Sequence, residues 1–299
     1  MNINTALRND RLSASLTGLT VKEFNQLLIL FTPVLIQALK ERNPDRIRVF
    51  GGGRKGHLVS PADRLFAVLM FLKVYPTYDV GGWLLGGMEK SNLCRWIHFL
   101  LPVLQKVLGR NLSLPRRQIR SVEEFFELYP GAKDVFIDGT ERRTQRPKNQ
   151  KKQKKLYSGK KKGTTRKTIV VSNHKNKILV LTPTRAGRRH DKRLFDKDIG
   201  HAIPLEVTAW TDTGFKGIEH HHPNTMMPKK NTKLHKLTPE ERLENKLISG
   251  IRILSEHAIA GIKRYGAATL IYRHKLPNLD DTFTLLSAGL WNFHLDIAK

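Results

Sequence analysis

The chain has 299 residues, of which 39% are hydrophobic, and this is enough to build one large or two smaller domains and excludes a wholly disordered chain. Its 53 Lys and Arg against 26 Asp and Glu leave a net charge of +27, which predicts strong, salt-sensitive attraction to polyanions. The longest apolar runs, such as Leu65 to Leu72, are far shorter than the roughly 20 residues of a membrane span.

The compartment is predicted from what the sequence lacks. The N-terminus has no basic-then-apolar signal pattern. The single cysteine, Cys94, permits no internal disulfide and is interpreted as a packing residue. We therefore expect a cytoplasmic protein, associated with the nucleoid when bound to DNA, without a membrane partner.

Residues 1–110 are predicted to be helical. Apolar residues recur at helical spacing from Val21 to Leu39, and Ser60 followed by Pro61 has the pattern of a helix start. An amphipathic helix over residues 63–72 is followed by a shorter one that opens at residues 76–78 and ends near residues 86–87.

A third helix is predicted from about Glu89, and it carries three polar residues, Ser91, Asn92 and Arg95, on one side. This order of helices suits a helix-turn-helix whose last helix enters a DNA major groove. A plain helical bundle is the alternative, because four glycines weaken the middle helix. Residues 111–130, with Pro115 and several arginines nearby, are predicted to be a linker.

Residues 131–299 are predicted to form a mixed α/β domain. Short β-branched runs bounded by Gly, Asn or Pro predict strands at residues 134–138, 167–172, 178–183 and 206–212. Between the first two lies a basic insertion, residues 142–167, with thirteen Lys or Arg and no acidic residue. Because strands flank this insertion, we expect a loop or hairpin arm that contacts nucleic acid, the alternative being a solvated loop.

Three acidic residues stand out against this positive charge. Asp138 ends one predicted strand, Asp212 follows another, and Glu256 lies within a helix predicted over residues 239–265. Helical periodicity places Arg252, Glu256 and Lys263 within about 40° of one another, beside an apolar face containing Leu247, Ile251, Leu254, Ala258 and Ile262. An ordinary surface ion pair between Arg252 and Glu256 is the alternative interpretation. Three carboxylates brought together would bind divalent cations against a polyanion, as in a metal-dependent nuclease.

Five short motifs occur in a fixed order along the chain. They are Ile137-Asp138-Gly139-Thr140-Glu141-Arg142, Ser158-Gly159-Lys160-Lys161, Gly187-Arg188-Arg189-His190-Asp191, Thr211-Asp212-Thr213-Gly214-Phe215-Lys216-Gly217, and Arg252, Glu256 and Lys263 at their spacing. In these motifs the chain resembles the DDE transposases of bacterial insertion sequences, in the branch related to Harbinger-type elements. The resemblance covers residues 130–275 well and residues 58–108 more loosely.

The resemblance implies an RNase H-like core in which Asp138, Asp212 and Glu256 are catalytic and bind two Mg²⁺ ions, with Mn²⁺ as a substitute. Arg252, Lys263, Lys216, Lys160 and Lys161 are then expected to orient Glu256 or to grip DNA phosphates. The expected activity is cleavage and strand transfer of double-stranded DNA at the ends of a mobile element, by a homodimer. No phosphate-cradling glycine motif is present, so a nucleotide cofactor is not expected.

Several features carry less weight or leave alternatives open. The family's last motif usually begins with Tyr where this chain has Ser249, which keeps open a catalytically inactive DNA-binding protein or repressor. An RNA-binding protein fits the charge but leaves the three acids unexplained. Glu141 is interpreted as offsetting nearby arginines, Asp191 as structural or close to DNA, and His220 to His222 as surface residues.

Overall fold

The computed structural model describes residues 3–42, 44, 56–232 and 236–298, and the chain divides into two compact units. The helical unit comprises Met1–Leu114, Lys263–Leu270 and Thr282–Lys299, and the sheet unit comprises Pro115–Ile262 and Ile271–Asp281. This division differs from the boundaries expected from the sequence, because the last helix belongs to the helical unit. There, Phe283 packs against the rings of Phe71 and Tyr75, so that its apolar surface is buried.

The elements are given in chain order. The helices are α1 Ile3–Ala6, α2 Asp10–Thr17, α3 Val21–Arg42, α4 Pro61–Val74, α5 Tyr78–Leu84, α6 Lys90–Arg110, α7 Val122–Leu128, α8 Gln150–Leu156, α9 Asp191–Asp198, α10 Pro239–Lys263, α11 Gly266–Thr269 and α12 Leu279–Ile297. The strands are β1 Asp134–Arg143, β2 Tyr157–Ser158, β3 Gly163–Ser172, β4 Ile178–Leu181, β5 Arg185–Ala186, β6 Thr208–Thr211 and β7 Thr225–Met226.

Helix α4 starts where the sequence predicted. Ser60 and Asp63 form a reciprocal capping box, and Pro61 occupies the first turn. All eight residues from Leu65 to Leu72 are buried, so this helix is the centre of the helical core. No single helix among the described residues has the length and apolar character of a membrane span. Helices α2 and α3 have that length and composition only when they are counted together, and they are bent by 55° relative to each other.

Helices α4, α5 and α6 confirm the three consecutive helices predicted from the sequence. The glycines of α5 have a packing role that the sequence did not reveal. A Cβ atom on Gly82 would lie 2.0 Å from the backbone oxygen of Met88, and one on Gly81 would lie 2.7 Å from the Leu93 side chain. These glycines therefore permit a close approach of α5 to the segment that leads into α6.

The sheet unit is built on one mixed sheet with strand order β2-β3-β1-β6-β7, to which β4 and β5 add by pairing with β3. Strand β1 pairs antiparallel with β3 over Phe136↔Ser172 to Arg143↔Thr165, and parallel with β6 over Asp134↔Thr208 to Ile137↔Thr211. The predicted α/β class is confirmed. The four strands predicted from β-branched runs are present as β1, β3, β4 and β6, whereas the two-residue strands β2, β5 and β7 were missed.

Two segments differ from the sequence expectation. The predicted linker is largely folded, since the Arg116 amide donates to the Leu179 carbonyl and α7 buries Phe125 in the core of the sheet unit. The basic insertion is a hairpin arm, as predicted, because it joins the paired strands β1 and β3. It also contains the unpredicted helix α8, which buries none of its residues.

Helix α10 follows its predicted position but not its predicted packing. Ala258 and Ile262 are buried, as predicted for residues of the apolar face. By contrast, Leu247 is 63% exposed and Ile251 is 39% exposed, so the first half of this face is not covered by the described residues.

Candidate active site

Asp138 and Asp212 are brought together by strand pairing. Their preceding residues, Ile137 and Thr211, form the last pair of the parallel ladder between β1 and β6. Asp212 follows the end of β6, whereas Asp138 lies within β1, which continues to Arg143 in pairing with β3. Neighbouring strands are about 4.8 Å apart, and residues at equivalent register point to the same face. The fold therefore places these two acids side by side, although 74 positions separate them in the sequence.

One oxygen of each carboxylate accepts a hydrogen bond from a backbone amide. Asp138 Oδ1 accepts from the Gly139 amide at 2.7 Å, and Asp212 Oδ1 accepts from the Gly214 amide at 2.7 Å. Among the described residues the other oxygen of each acid has no hydrogen-bond donor. Burial raises the pKa of the Asp138 carboxyl, and the charge of Asp212 adds to the rise, while the Gly139 amide and the charges of Arg252 and Lys160 oppose it. A cation at this position would relieve the repulsion between the two acids.

A buried ionic network lies against Gly139 of β1 and Gly214 after β6, next to the two acids. Lys167 Nζ lies 2.9 Å from Asp191 Oδ1 and 3.0 Å from Glu141 Oε1. The Asp191 carboxylate fits between two glycines: its oxygens lie 3.0 Å from the position of a Cβ at Gly139 and 3.2 Å from that at Gly214. A side chain at either glycine would displace Asp191.

The network corrects one expectation. Glu141 was expected to offset the neighbouring arginines, but it bonds Lys167 and accepts from the Thr165 hydroxyl at 2.7 Å. Burial opposes ionisation of Glu141, yet hydrogen bonds from Thr165, Ser158 and Lys167 outweigh it and hold its pKa below the ordinary value. An acid three residues after Asp138 was visible in the sequence, but no pattern indicated Lys167 as its partner.

Glu256 stands apart from the two aspartates. It is exposed on α10, and the described residues contain no group of three or more His, Cys, Asp or Glu placed to hold a metal ion. Arg252, one turn earlier, makes no ion pair with Glu256 in the described part of the chain, and its positive charge instead opposes the rise in the pKa of Asp138. Within the described residues, therefore, neither the surface ion pair considered from the sequence nor an assembled three-carboxylate site is present.

The remaining predicted phosphate ligands lie at the surface. Lys160, Lys161 and Lys216 are exposed, and Lys160 is close enough to influence the pKa of Asp138. Lys263 is the exposed last residue of α10 and belongs to the helical unit. Ser249 is also exposed.

One histidine prediction was wrong. His222 was expected at the surface, but it is buried, with Nε2 at 3.0 Å from the Pro204 carbonyl and Nδ1 at 3.1 Å from the Thr225 hydroxyl. His220 and His221 are exposed, as expected. The bonds of His222 join the loop after β6 to the loop before it, which gives this residue a structural role.

In the helical unit, the first turn of α6 presents the three polar residues singled out from the sequence. Ser91, Asn92 and Arg95 are all exposed, and the Arg95 guanidinium donates to Asn92 Oδ1 at 2.6 Å. Leu93 and Ile97 on the opposite side are buried. Helix α6 therefore packs into the core of the helical unit through its apolar face, and the polar face of its first turn is exposed.

Comparison with known proteins agrees with the arrangement of the sheet unit. Residues 137–292 match the family described as DDE superfamily endonuclease, which spans more than half of the chain. The chain is 30% identical over 245 residues to the probable transposase for insertion sequence element IS702 of Microchaete diplosiphon, covering 81% of this chain and 83% of that relative. No solved structure matches the chain significantly. By these matches, and with Asp138 and Asp212 directly after the last pair of the ladder between β1 and β6, the chain belongs to the DDE superfamily of insertion-sequence transposases.

Proposed function

We propose that this transposase binds the terminal inverted repeats of its own mobile element and catalyses Mg²⁺-dependent DNA strand cleavage and strand transfer. The observation that carries the proposal is the side-by-side placement of Asp138 and Asp212, directly after the last residue pair of the parallel ladder between β1 and β6, within a strongly basic protein. Two element ends must be brought together for strand transfer, so the proposed working form is a homodimer acting on double-stranded DNA.

We also propose that the sheet unit is an RNase H-like core. The support is its strand arrangement, in which β1 has the antiparallel strands β3 and β4 on one side and the parallel strands β6 and β7 on the other. For the helical unit we propose a helix-turn-helix made by α4, α5 and α6, in which Ser91, Asn92 and Arg95 contact base edges or phosphates. The exposed polar turn of α6 supports this role.

Asp138 and Asp212 provide two of the ligands that a divalent metal site would need. Asp138 and Asp212 each offer an oxygen without a donor among the described residues, and hard carboxylate oxygens are the ligands that Mg²⁺ prefers. We propose that Glu256 completes this set of ligands. Held by these carboxylates, Mg²⁺ would supply Lewis-acid chemistry, which would favour deprotonation of a water or a 3′-hydroxyl and stabilise the oxyanion that leaves in phosphodiester cleavage.

The protein's own groups have separate roles in this proposal. Asp138 and Asp212 supply negative charge at one fixed place, because the Gly139 and Gly214 amides orient them. Arg252 and Lys160 supply positive charge beside Asp138 and are suited to hold the phosphates on either side of the scissile bond. Lys161, Lys216 and Lys263 are proposed to grip phosphates farther along the strand.

The test compares the wild-type chain with Asp138→Asn on a duplex that carries an element end. Asp138→Asn keeps the size and the Gly139 hydrogen bond of the side chain but removes its charge. We expect equal duplex binding by both proteins and Mg²⁺-dependent nicking by the wild type alone. Nicking by Asp138→Asn at the wild-type rate would contradict the proposed role of Asp138, and a preference for structured RNA would favour an RNA-binding protein.

A second candidate function is a DNA-binding protein or repressor that has lost catalysis. Two observations favour it: Glu256 is exposed and outside any assembled group of acids among the described residues, and Ser249 stands at the usual position of a tyrosine. This candidate predicts that the wild type binds the duplex but does not nick it with either Mg²⁺ or Mn²⁺.

A further inference from the structure

A basic groove lies on the sheet unit outside the pair of catalytic candidates. It has a volume of about 390 Å³ and is lined by residues of α8, β3, β5 and the turn after β5. The lining residues are Lys152, Lys155, Leu156, Arg166, Arg185, Ala186 and Arg189. Five of these seven are cationic, so the groove is suited to an anion.

Two of the five cations are fixed by carboxylates. Arg185 donates to both oxygens of Asp198, at 2.7 and 2.8 Å from its Nη2, and Arg166 Nε lies 2.5 Å from Asp280 Oδ2. The strands that carry these arginines are paired at Arg166↔Ala186. They therefore form a rigid wall whose charge is largely balanced by the protein itself.

The other three cations carry charge that the described residues do not balance. Lys152, Lys155 and Arg189 are exposed and form no ion pair within the described part of the chain. Helix α8 buries no residue, so packing does not explain why it holds two lysines over the groove. Three unbalanced charges facing one concave surface favour a ligand with several negative charges.

We propose that this groove binds consecutive backbone phosphates of duplex DNA, outside the position where the strand is cut. The ligand class follows from the lining, since only Leu156 and Ala186 are apolar and no aromatic ring is present among the lining residues to stack on a base. Contacts of this kind fix the position of DNA on a protein without reading its sequence. The inference rests on the proposed function in taking DNA as the substrate.

Helix α8 offers a matched pair of variants. Lys152 and Lys155 line the groove, whereas Lys151 and Lys154 lie on the same helix, are exposed, and are not part of the lining. The two pairs are rotated from each other by about 100° around the helix axis. Lys152→Gln with Lys155→Gln and Lys151→Gln with Lys154→Gln therefore remove the same charge from the same helix on different faces.

The experiment measures binding of the full chain to a fluorescein-labelled duplex of arbitrary sequence by anisotropy, over a series of salt concentrations. Loss of two phosphate contacts lowers the slope of log K against log salt by about 1.8. We expect that reduction for the groove pair and well under half of it for the control pair. Equal reductions for both pairs, or none for the groove pair, would overturn the proposal.

Other outcomes distinguish a failure of the groove proposal from a failure of the proposed function. If the groove pair binds like the wild type while nicking still requires Asp138, the groove inference fails and the transposase mechanism stands. If the wild type binds a hairpin RNA more tightly than the duplex, both fail. If the groove pair shows the reduced slope and Asp138→Asn nicks normally, the groove is correct and the catalytic assignment is wrong.

Discussion

Replacing Lys167 with Met tests the buried ionic network beneath the two aspartates. The three side chains involved are almost fully enclosed, with exposures of 7% for Lys167, 5% for Glu141 and 13% for Asp191. Lys167→Met keeps most of the side-chain volume but leaves two buried carboxylates without their shared cation. Breaking a buried ion pair in this way costs about 3–5 kcal/mol, so we expect the free energy of unfolding to fall by that amount near neutral pH.

The pH dependence distinguishes this mechanism from a simple packing defect. The pKa of Glu141 is lowered in the folded chain, so its stabilising contribution is present above its unfolded pKa of about 4.3 and is lost as the pH falls through the folded value. Asp191 and Glu141 raise the pKa of Lys167 against the effect of burial, so its contribution is present below about 10.4 and is lost as the pH rises through the folded value. The difference in free energy of unfolding between the wild type and Lys167→Met should therefore become smaller at both low and high pH.

The measurement is urea unfolding across this pH range, with Lys175→Met as the control because Lys175 is exposed in the turn between β3 and β4. We expect the control to change stability by less than about 0.5 kcal/mol. Adding Glu141→Gln to Lys167→Met should recover part of the loss, since one uncompensated charge is removed. A loss below about 1 kcal/mol that does not vary with pH would refute the reasoning.

Three further variants test the helical unit and α10. Gly82→Ala should destabilise the chain by about 2 kcal/mol or more, because the added Cβ would meet the Met88 carbonyl. Gly250→Ala should instead stabilise α10 by about 0.5–1 kcal/mol, because a Cβ at Gly250 would have no atom within 4 Å. If urea unfolding ranked the two variants in the opposite order, the packing described for α5 would be contradicted. Glu23→Gln should cost about 2 kcal/mol by weakening the 2.7 Å contact with His294. Burial is the largest single effect on the pKa of Glu23 and raises it, but the hydrogen bonds from His294 and Thr20 and the charge of His294 together outweigh burial and lower the pKa. The loss of stability should therefore vanish as the pH falls through the folded pKa, and a pH-independent loss would exclude the ionic contribution.

Local sequence patterns were sufficient for many of the elements. The start of α4 was predictable because Ser60, Pro61 and Asp63 satisfy the free amides of a first helical turn, an interaction within four residues. The end of β6 before Asp212 was predictable from a β-branched run followed by an acid. Strand β1 was predicted to end at Asp138, but it continues to Arg143 because β3 pairs with it along that length. Helix α8 was missed because its Lys and Gln residues bury nothing, and so they show no apolar periodicity.

By itself the sequence determined the charge, the α/β class, the helices of the N-terminal half and the candidate acids. Only the tertiary structure decided which acids meet, because pairing of β1 with β6 and β3 brings together Asp138, Asp212, Lys167 and Asp191 from distant positions. Periodicity likewise placed Glu256 on a helix, but the side of α10 that is covered depends on what packs against it. Local propensities act over a few residues, whereas the contacts that gather a site are set by the register of strands and the packing of a core.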